Sequence, residues 1–167
     1  MVCEGAHSLP KISFHRTNLK KNDLKCGLFD ADLKPQNMQR AILSSDDRPD
    51  GVERAIMGRE HHWRASADQK AGIDFGVTFP NAITCRAIYF SGLTSDFGRD
   101  RFTPYCFKIL AGDSMDDLQE VYRSKFEDKM SYVDGRVFLR LDDIEAKCFK
   151  IVLTHNALKP WTISNLT

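Results

Sequence analysis

Apolar residues in the second half of the chain recur with a period of two. In residues 105–110 (YCFKIL), Tyr105, Phe107 and Ile109 share one face and Lys108 lies on the other. In residues 147–153 (KCFKIVL), Phe149, Ile151 and Leu153 share one face, opposite Cys148, Lys150 and Val152. Strands with one wholly apolar side and one mixed side are what a two-layer sandwich requires, so Phe149 is expected in a core and Lys150 at a dispensable surface position. The same pattern predicts strands at 11–15, 73–79, 84–90, 120–124 and 136–141. Turn residues punctuate them at Pro80 and Asn81, at Gly92, from Ala111 to Asp113, and at Asp134 and Gly135. Helical periodicity is confined to about two turns at 37–44 and to single turns at 114–118 and 142–146. Short strands at even spacing with few helices predict an all-β domain, an antiparallel β-sandwich or jelly roll.

The echo CFKIL and CFKIV, starting at Cys106 and Cys148, could mark a repeat, a pair of metal or redox cysteines, or two strands meeting the same packing requirement. No third copy exists and the flanking sequences differ, which excludes a propeller or solenoid. The five cysteines are widely spaced, with no C-x-x-C and no cysteine–histidine cluster at zinc spacing, so they read as reduced, mostly buried thiols. Two strands converging on one pattern is the remaining explanation.

With 167 residues the chain has room for one domain with a real core. Twenty-four Lys and Arg against 23 Asp and Glu give a net charge of +1, so no global field attracts nucleic acid or an anionic membrane. The first residues lack the basic and apolar regions of a signal peptide, and a cytosolic or nuclear setting is expected. Candidate chemistry is sparse. His61 and His62 are adjacent, so a strand would point them to opposite faces, and no third metal ligand accompanies them. The acidic pairs Asp46 and Asp47, Asp116 and Asp117, and Asp142 and Asp143 fit turns or caps. There is no G-x-S-x-G, P-loop or H-E-x-x-H sequence, and no sequence signal for carboxylates paired across a cleft. A non-enzyme is expected, with no metal and no cofactor.

Residues 92–104 (GLTSDFGRDRFTP) are the most informative stretch. They join two strands by a connection far longer than a tight hairpin and carry Phe97, Arg99, Arg101 and Phe102. Aromatic residues and arginine together are common material for recognition and anion binding; the alternative is that the rings cap the sandwich while the arginines pair with Asp96 and Asp100. A second candidate is 155–161 (HNALKPW), in which His155 is a potential contact and Trp161 is either a core plug or an exposed platform before the last strand.

The stretch 52–66 (VERAIMGREHHWRAS), followed by 72–79 (GIDFGVTF), resembles the opening of the coagulation factor V/VIII type C, or discoidin, family. Ala55, Gly58, Trp63, Ser66, Asp74 and Gly76 fall at the matching points, and the segments 107–122 and 146–154 resemble later strands of that family. The resemblance covers roughly residues 50–167, leaving 1–49 as an N-terminal extension expected to pack on the sandwich. It implies a galactose-binding-like fold whose ligand, a glycan or a protein partner, is gripped by loops at one end. An enzyme or enzyme subunit on the same fold is the rival reading, and nucleic-acid binding through Arg99, Arg101, Lys20 and Lys21 a weaker third. Many relatives hold a structural calcium ion with an Asp and a Glu; Met57 stands at that Asp position and Asn165 near that Glu. A thioether is no ligand for a hard cation and a neutral amide is a poorer one than a carboxylate, so a tight calcium site is not expected.

Overall fold

The computed structural model describes residues 36–58, 60–92, 104, 106–124, 132–133 and 136–167. The strand predicted at 11–15 and the turn at Asp134 and Gly135 lie outside them. Among the described residues eight strands follow in chain order: β1 (Ile42–Ser44), β2 (Trp63–Gln69), β3 (Asp74–Ser91), β4 (Phe107–Ser114), β5 (Asp117–Arg123), β6 (Tyr132–Val133), β7 (Arg136–Leu153) and β8 (Ala157–Ile163). The main sheet runs β1-β3-β7-β4-β5 with β6 also on β7, and β2 pairs with β8 in the second layer; all named pairs are antiparallel. The fold is the expected galactose-binding-like β-sandwich. Gln36–Thr167 forms one compact unit, and β1 brings residues before position 50 into the main sheet.

The echo is explained by register. β4 and β7 are direct neighbours, with Ile109 opposite Ile151 and Phe107 opposite Leu153. Phe107, Ile109, Phe149, Ile151 and Leu153 all point into the core. That core is an aromatic stack in which Trp63 of β2 and Trp161 of β8 meet Phe75 and Phe90 of β3. Trp63 lies edge-on to Phe75 at 5.0 Å and to Trp161 at 5.4 Å, the offset geometry that aromatic quadrupoles favour.

Several local expectations are corrected. The strands predicted at 73–79 and 84–90 are one strand, β3, which passes through Pro80 and Asn81 with a register shift between Thr78 and Ile83. A shift of this kind tolerates proline because one ladder hydrogen bond is already lost. The helical turn at 142–146 is likewise strand, the middle of β7, with Asp143 at φ 42°. The end of β3 meets the segment that follows β8. Ser91 and Ser164 exchange backbone hydrogen bonds of 2.8 and 2.7 Å, and Tyr89 does the same with Thr167. Residues 37–44 are a 3-10 turn (Met38–Arg40) followed by β1, and residues 114–118 are a hairpin whose turn is Met115 and Asp116. The turn at Ala111 to Asp113 is the end of β4, and Gly112 is required there: a Cβ at that position would collide with the Asp117 carbonyl of the facing strand.

Candidate functional site

The strand register defines the loop-bearing end of the sandwich. β3 starts there at Asp74, β7 ends there at Leu153, β8 starts at Ala157, and β4 starts at Phe107 opposite Leu153. The turns 70–73 and 154–156 lie side by side, because the Ala71 N–H donates to Asn156 Oδ1 at 2.9 Å and the Gly72 N–H to the Leu153 carbonyl at 2.9 Å. His155, exposed, stands on the second of these turns.

Phe97, Arg99, Arg101 and Phe102 lie outside the described residues, but the roots of their loop do not. At the first root, the Ser91 hydroxyl is 2.9 Å from the Ser164 hydroxyl and accepts from Asn165 Nδ2 at 3.2 Å. At the second, Pro104 is fully buried and the Cys106 carbonyl accepts from the Thr154 N–H at 3.0 Å, one residue from His155. Ser124 closes the same corner, donating its hydroxyl-bearing residue's N–H to the Phe107 carbonyl at 2.9 Å while its Oγ accepts from the Phe107 N–H at 2.8 Å. The second root of the 92–104 loop and the His155 turn therefore share one end of the fold.

Trp161 is the core plug of the two alternatives. It is 0% exposed and touches Trp63, Phe75 and Phe90, so its ring is closed to any ligand. As a ligand contact it is corrected to a support. Pro160 and Trp161 sit inside β8 rather than in a loop before it, with Pro160 beside a register shift in the pairing with β2.

One polar cluster gave no signal in the sequence. Lys150 Nζ donates to Asp74 Oδ2 at 2.9 Å and reaches Asp46 Oδ2 at 3.5 Å, while the Asp46 N–H donates to Asp74 Oδ1 at 3.0 Å. Burial works against the Lys150 ammonium, but the hydrogen bond and charge of Asp74, with the charge of Asp46, outweigh it and raise its pKa. Ser45 adds a hydroxyl bond of 2.8 Å to the Asp74 carbonyl. These carboxylates share one cation on the outer face of the main sheet instead of facing each other across a cleft, so the cluster ties β1, β3 and β7 together and offers no acid–base pair.

Met57 and Asn165 are the two positions at which the sequence resemblance would look for calcium ligands. Met57 is exposed, and the neighbouring Ala55 carbonyl accepts from the Leu166 N–H at 2.9 Å. Asn165 turns its amide nitrogen toward Ser91, with its backbone at φ 51°. Among the described residues no group of three or more His, Cys, Asp or Glu could hold a metal ion. Millimolar calcium is expected to leave the melting temperature nearly unchanged, because weak binding to the native state contributes little by mass action. A rise of several degrees, reversed by chelator in a thermal scan, would show that other oxygens complete a site.

No family model matches the sequence, and no curated protein sequence matches it. Solved structures do match the fold. A family 32 carbohydrate-binding module from Clostridium perfringens, in complex with GalNAc-β-1,3-galactose, superposes with a TM-score of 0.60 at 11% identity, covering 77% of this chain and 94% of that one. The family 32 module of NanJ from the same organism, in complex with galactose, gives 0.60 at 16% identity over 77% and 93%. The family 32 module of AlyQ, in complex with 4,5-unsaturated mannuronic acid, gives 0.57 at 15% identity over 75% and 91%. At such identities the likeness shows the fold: the discoidin, or galactose-binding-like, sandwich.

Proposed function

We propose that this domain is a non-catalytic recognition module that binds a glycan at the loop-bearing end, through Phe97, Arg99, Arg101 and Phe102 together with His155. The reading is carried by one observation: the second root of the long Arg- and Phe-bearing loop is tied by hydrogen bond next to the exposed His155 turn. The fold likeness to modules solved with sugars bound supports a glycan over a protein partner. Anchored roots fit recognition, since a loop held at its ends loses less entropy when it binds. Arginine supplies a planar fork of donors for sugar hydroxyls or carboxylates, histidine a further donor, and phenylalanine an apolar face for the C–H side of a pyranose.

The test is a glycan array run with the wild type and the Arg99→Ala/Arg101→Ala variant. Binding of the wild type to a defined glycan set is expected, with at least about tenfold loss in the variant, as for a desolvated arginine contact. The fold should be unaffected, with stability changed by less than about 0.5 kcal/mol, because in the sequence the two arginines fall outside the alternating apolar segments that form the core. An array blank for the wild type, with a lysate partner lost by the variant, would replace the glycan by a protein. Full retention of binding in the variant would remove the loop as the site.

A further inference from the structure

We infer that Gln69 is a ligand-contacting residue of the loop-bearing end, its side-chain amide donating to an oxygen of an uncharged sugar, so that the module selects neutral over acidic glycans. The inference deepens the reading of that end as a glycan site and rests on it.

Gln69 closes β2 at the loop-bearing end. It lies opposite Ala157, the first residue of β8 and the second after the exposed His155, and the turn 70–73 follows it directly. Ala71 of that turn is tied to Asn156 through the N–H donated to Oδ1 at 2.9 Å. Gln69 is thus held between the two turns that build this part of the end. In β2, Trp63, Ala65 and Gln69 are the buried positions, so the amide shares the inner face with apolar side chains.

Gln69 is 2% exposed, and its Nε2 is buried with no hydrogen-bond partner among the described residues. A primary amide carries two donors on that atom, and leaving them unpaired in an apolar surround is a standing penalty that native proteins avoid unless the group serves a ligand or a water. Trp161 Nε1 is a second such donor, but it lies four residues further along β8 from Ala157, inside the ring stack and away from the end. The strand pairing is interrupted beside Gln69. Between Asp68 and Gln69 the partner shifts from Pro160 to Ala157, so residues 158 and 159 bulge out of register, and Leu158 stands 88% exposed. A segment with a broken ladder and an unpacked large side chain separates from its neighbour at less cost than regular strand, which gives a ligand a way to the amide. The ligand's oxygen then accepts hydrogen bonds that the closed end leaves unmade. An uncharged hydroxyl or acetamido oxygen fits this role. An ionised carboxylate would lose more hydration on entering an apolar surround than a neutral amide returns.

The experiment is titration calorimetry of wild type, Gln69→Met and Gln69→Leu with the methyl glycosides of galactose, N-acetylgalactosamine and galacturonic acid, and with monodeoxy analogues of the neutral glycoside that binds, alongside urea unfolding. The wild type is expected to bind a neutral glycoside at least about tenfold more tightly than the galacturonide. Both variants should unfold at the same or a higher urea concentration than the wild type, since each removes an unpaired donor at nearly constant volume, and both should lose about tenfold in affinity for the neutral glycoside. One deoxy analogue should bind the wild type about tenfold more weakly than its parent, yet bind Gln69→Met as the parent does; a merely structural role for Gln69 would not couple the two changes. Lower stability with unchanged affinity in the variants would mark Gln69 as the partner of an internal water and overturn the inference. A galacturonide bound as tightly as the neutral glycosides would overturn it too, and so would a deoxy penalty that persists in both variants. Affinity kept in the Gln69 variants but lost in Arg99→Ala/Arg101→Ala would sink this inference alone, whereas a wild type that binds no glycan would remove the reading of the domain with it.

Discussion

Phe149→Ala is expected to destabilise the domain by about 3–5 kcal/mol, as for other large-to-small changes in a packed core. Phe149 is 5% exposed, lies opposite both Val77 and Ala111, and packs edge-on against Phe79 at 6.3 Å. It therefore contacts the centre of the main sheet from both sides, and the neighbouring strands cannot collapse into the space its ring would leave. Lys150, the next residue, is no dispensable surface group. Its ammonium sits 2.9 Å from a carboxylate whose side chain is only 8% exposed. Lys150→Ala should cost about 1–3 kcal/mol, because it strips the partner from a buried polar group instead of leaving a cavity. The two causes separate in a double variant: Asp74→Asn should recover part of the loss at Lys150 and none of the loss at Phe149. Urea unfolding of the single and double variants checks this. A Phe149→Ala loss no larger than that of Lys150→Ala would break the assignment of faces.

The limits of the sequence follow from which interactions are local. The alternation at Phe107 and Ile109, and at Phe149, Ile151 and Leu153, was legible because a strand with one buried face writes its own period. β2 was not legible: in WRASADQ only Trp63, Ala65 and Gln69 point inward, and its bulged pairing with β8 interrupts the period. The corner at 142–146 misled for a different reason. Asp142 and Asp143 have the character of a helix start, but pairing of Ile144, Glu145 and Ala146 with Cys85, Thr84 and Ile83 holds the segment extended. Non-local pairing within the main sheet outweighs local propensity here. In the candidate sites, the loop at 92–104 and His155 could be singled out by length and residue type. The Asp74–Lys150 pair could not, since its partners are 76 residues apart and meet only once β3 and β7 are in register.

Trp161→Ala should destabilise by about 3–5 kcal/mol, whereas Trp161→Phe should cost under about 1.5 kcal/mol. The contrast follows from the two parts of the side chain. Its rings fill the centre of the aromatic stack, 5.4 Å from Trp63 and 6.5 Å from both Phe75 and Phe90, so alanine would open a cavity that rigid ring neighbours cannot close. Its Nε1, by contrast, is buried with no hydrogen-bond partner among the described residues. A buried donor without an acceptor is a standing penalty, and phenylalanine removes it together with part of the ring, so the two effects oppose each other. The phenylalanine variant also separates support from contact. A tryptophan that stacked on a sugar would lose affinity when its ring shrank, but one that is 0% exposed should leave glycan affinity unchanged once the protein is folded. Melting curves and glycan titrations of wild type and Trp161→Phe decide the matter together. A near-native melting temperature with at least about a tenfold loss of affinity, the scale of a lost stacking contact, would return Trp161 to the binding surface and require the end of the sandwich to open when ligand arrives.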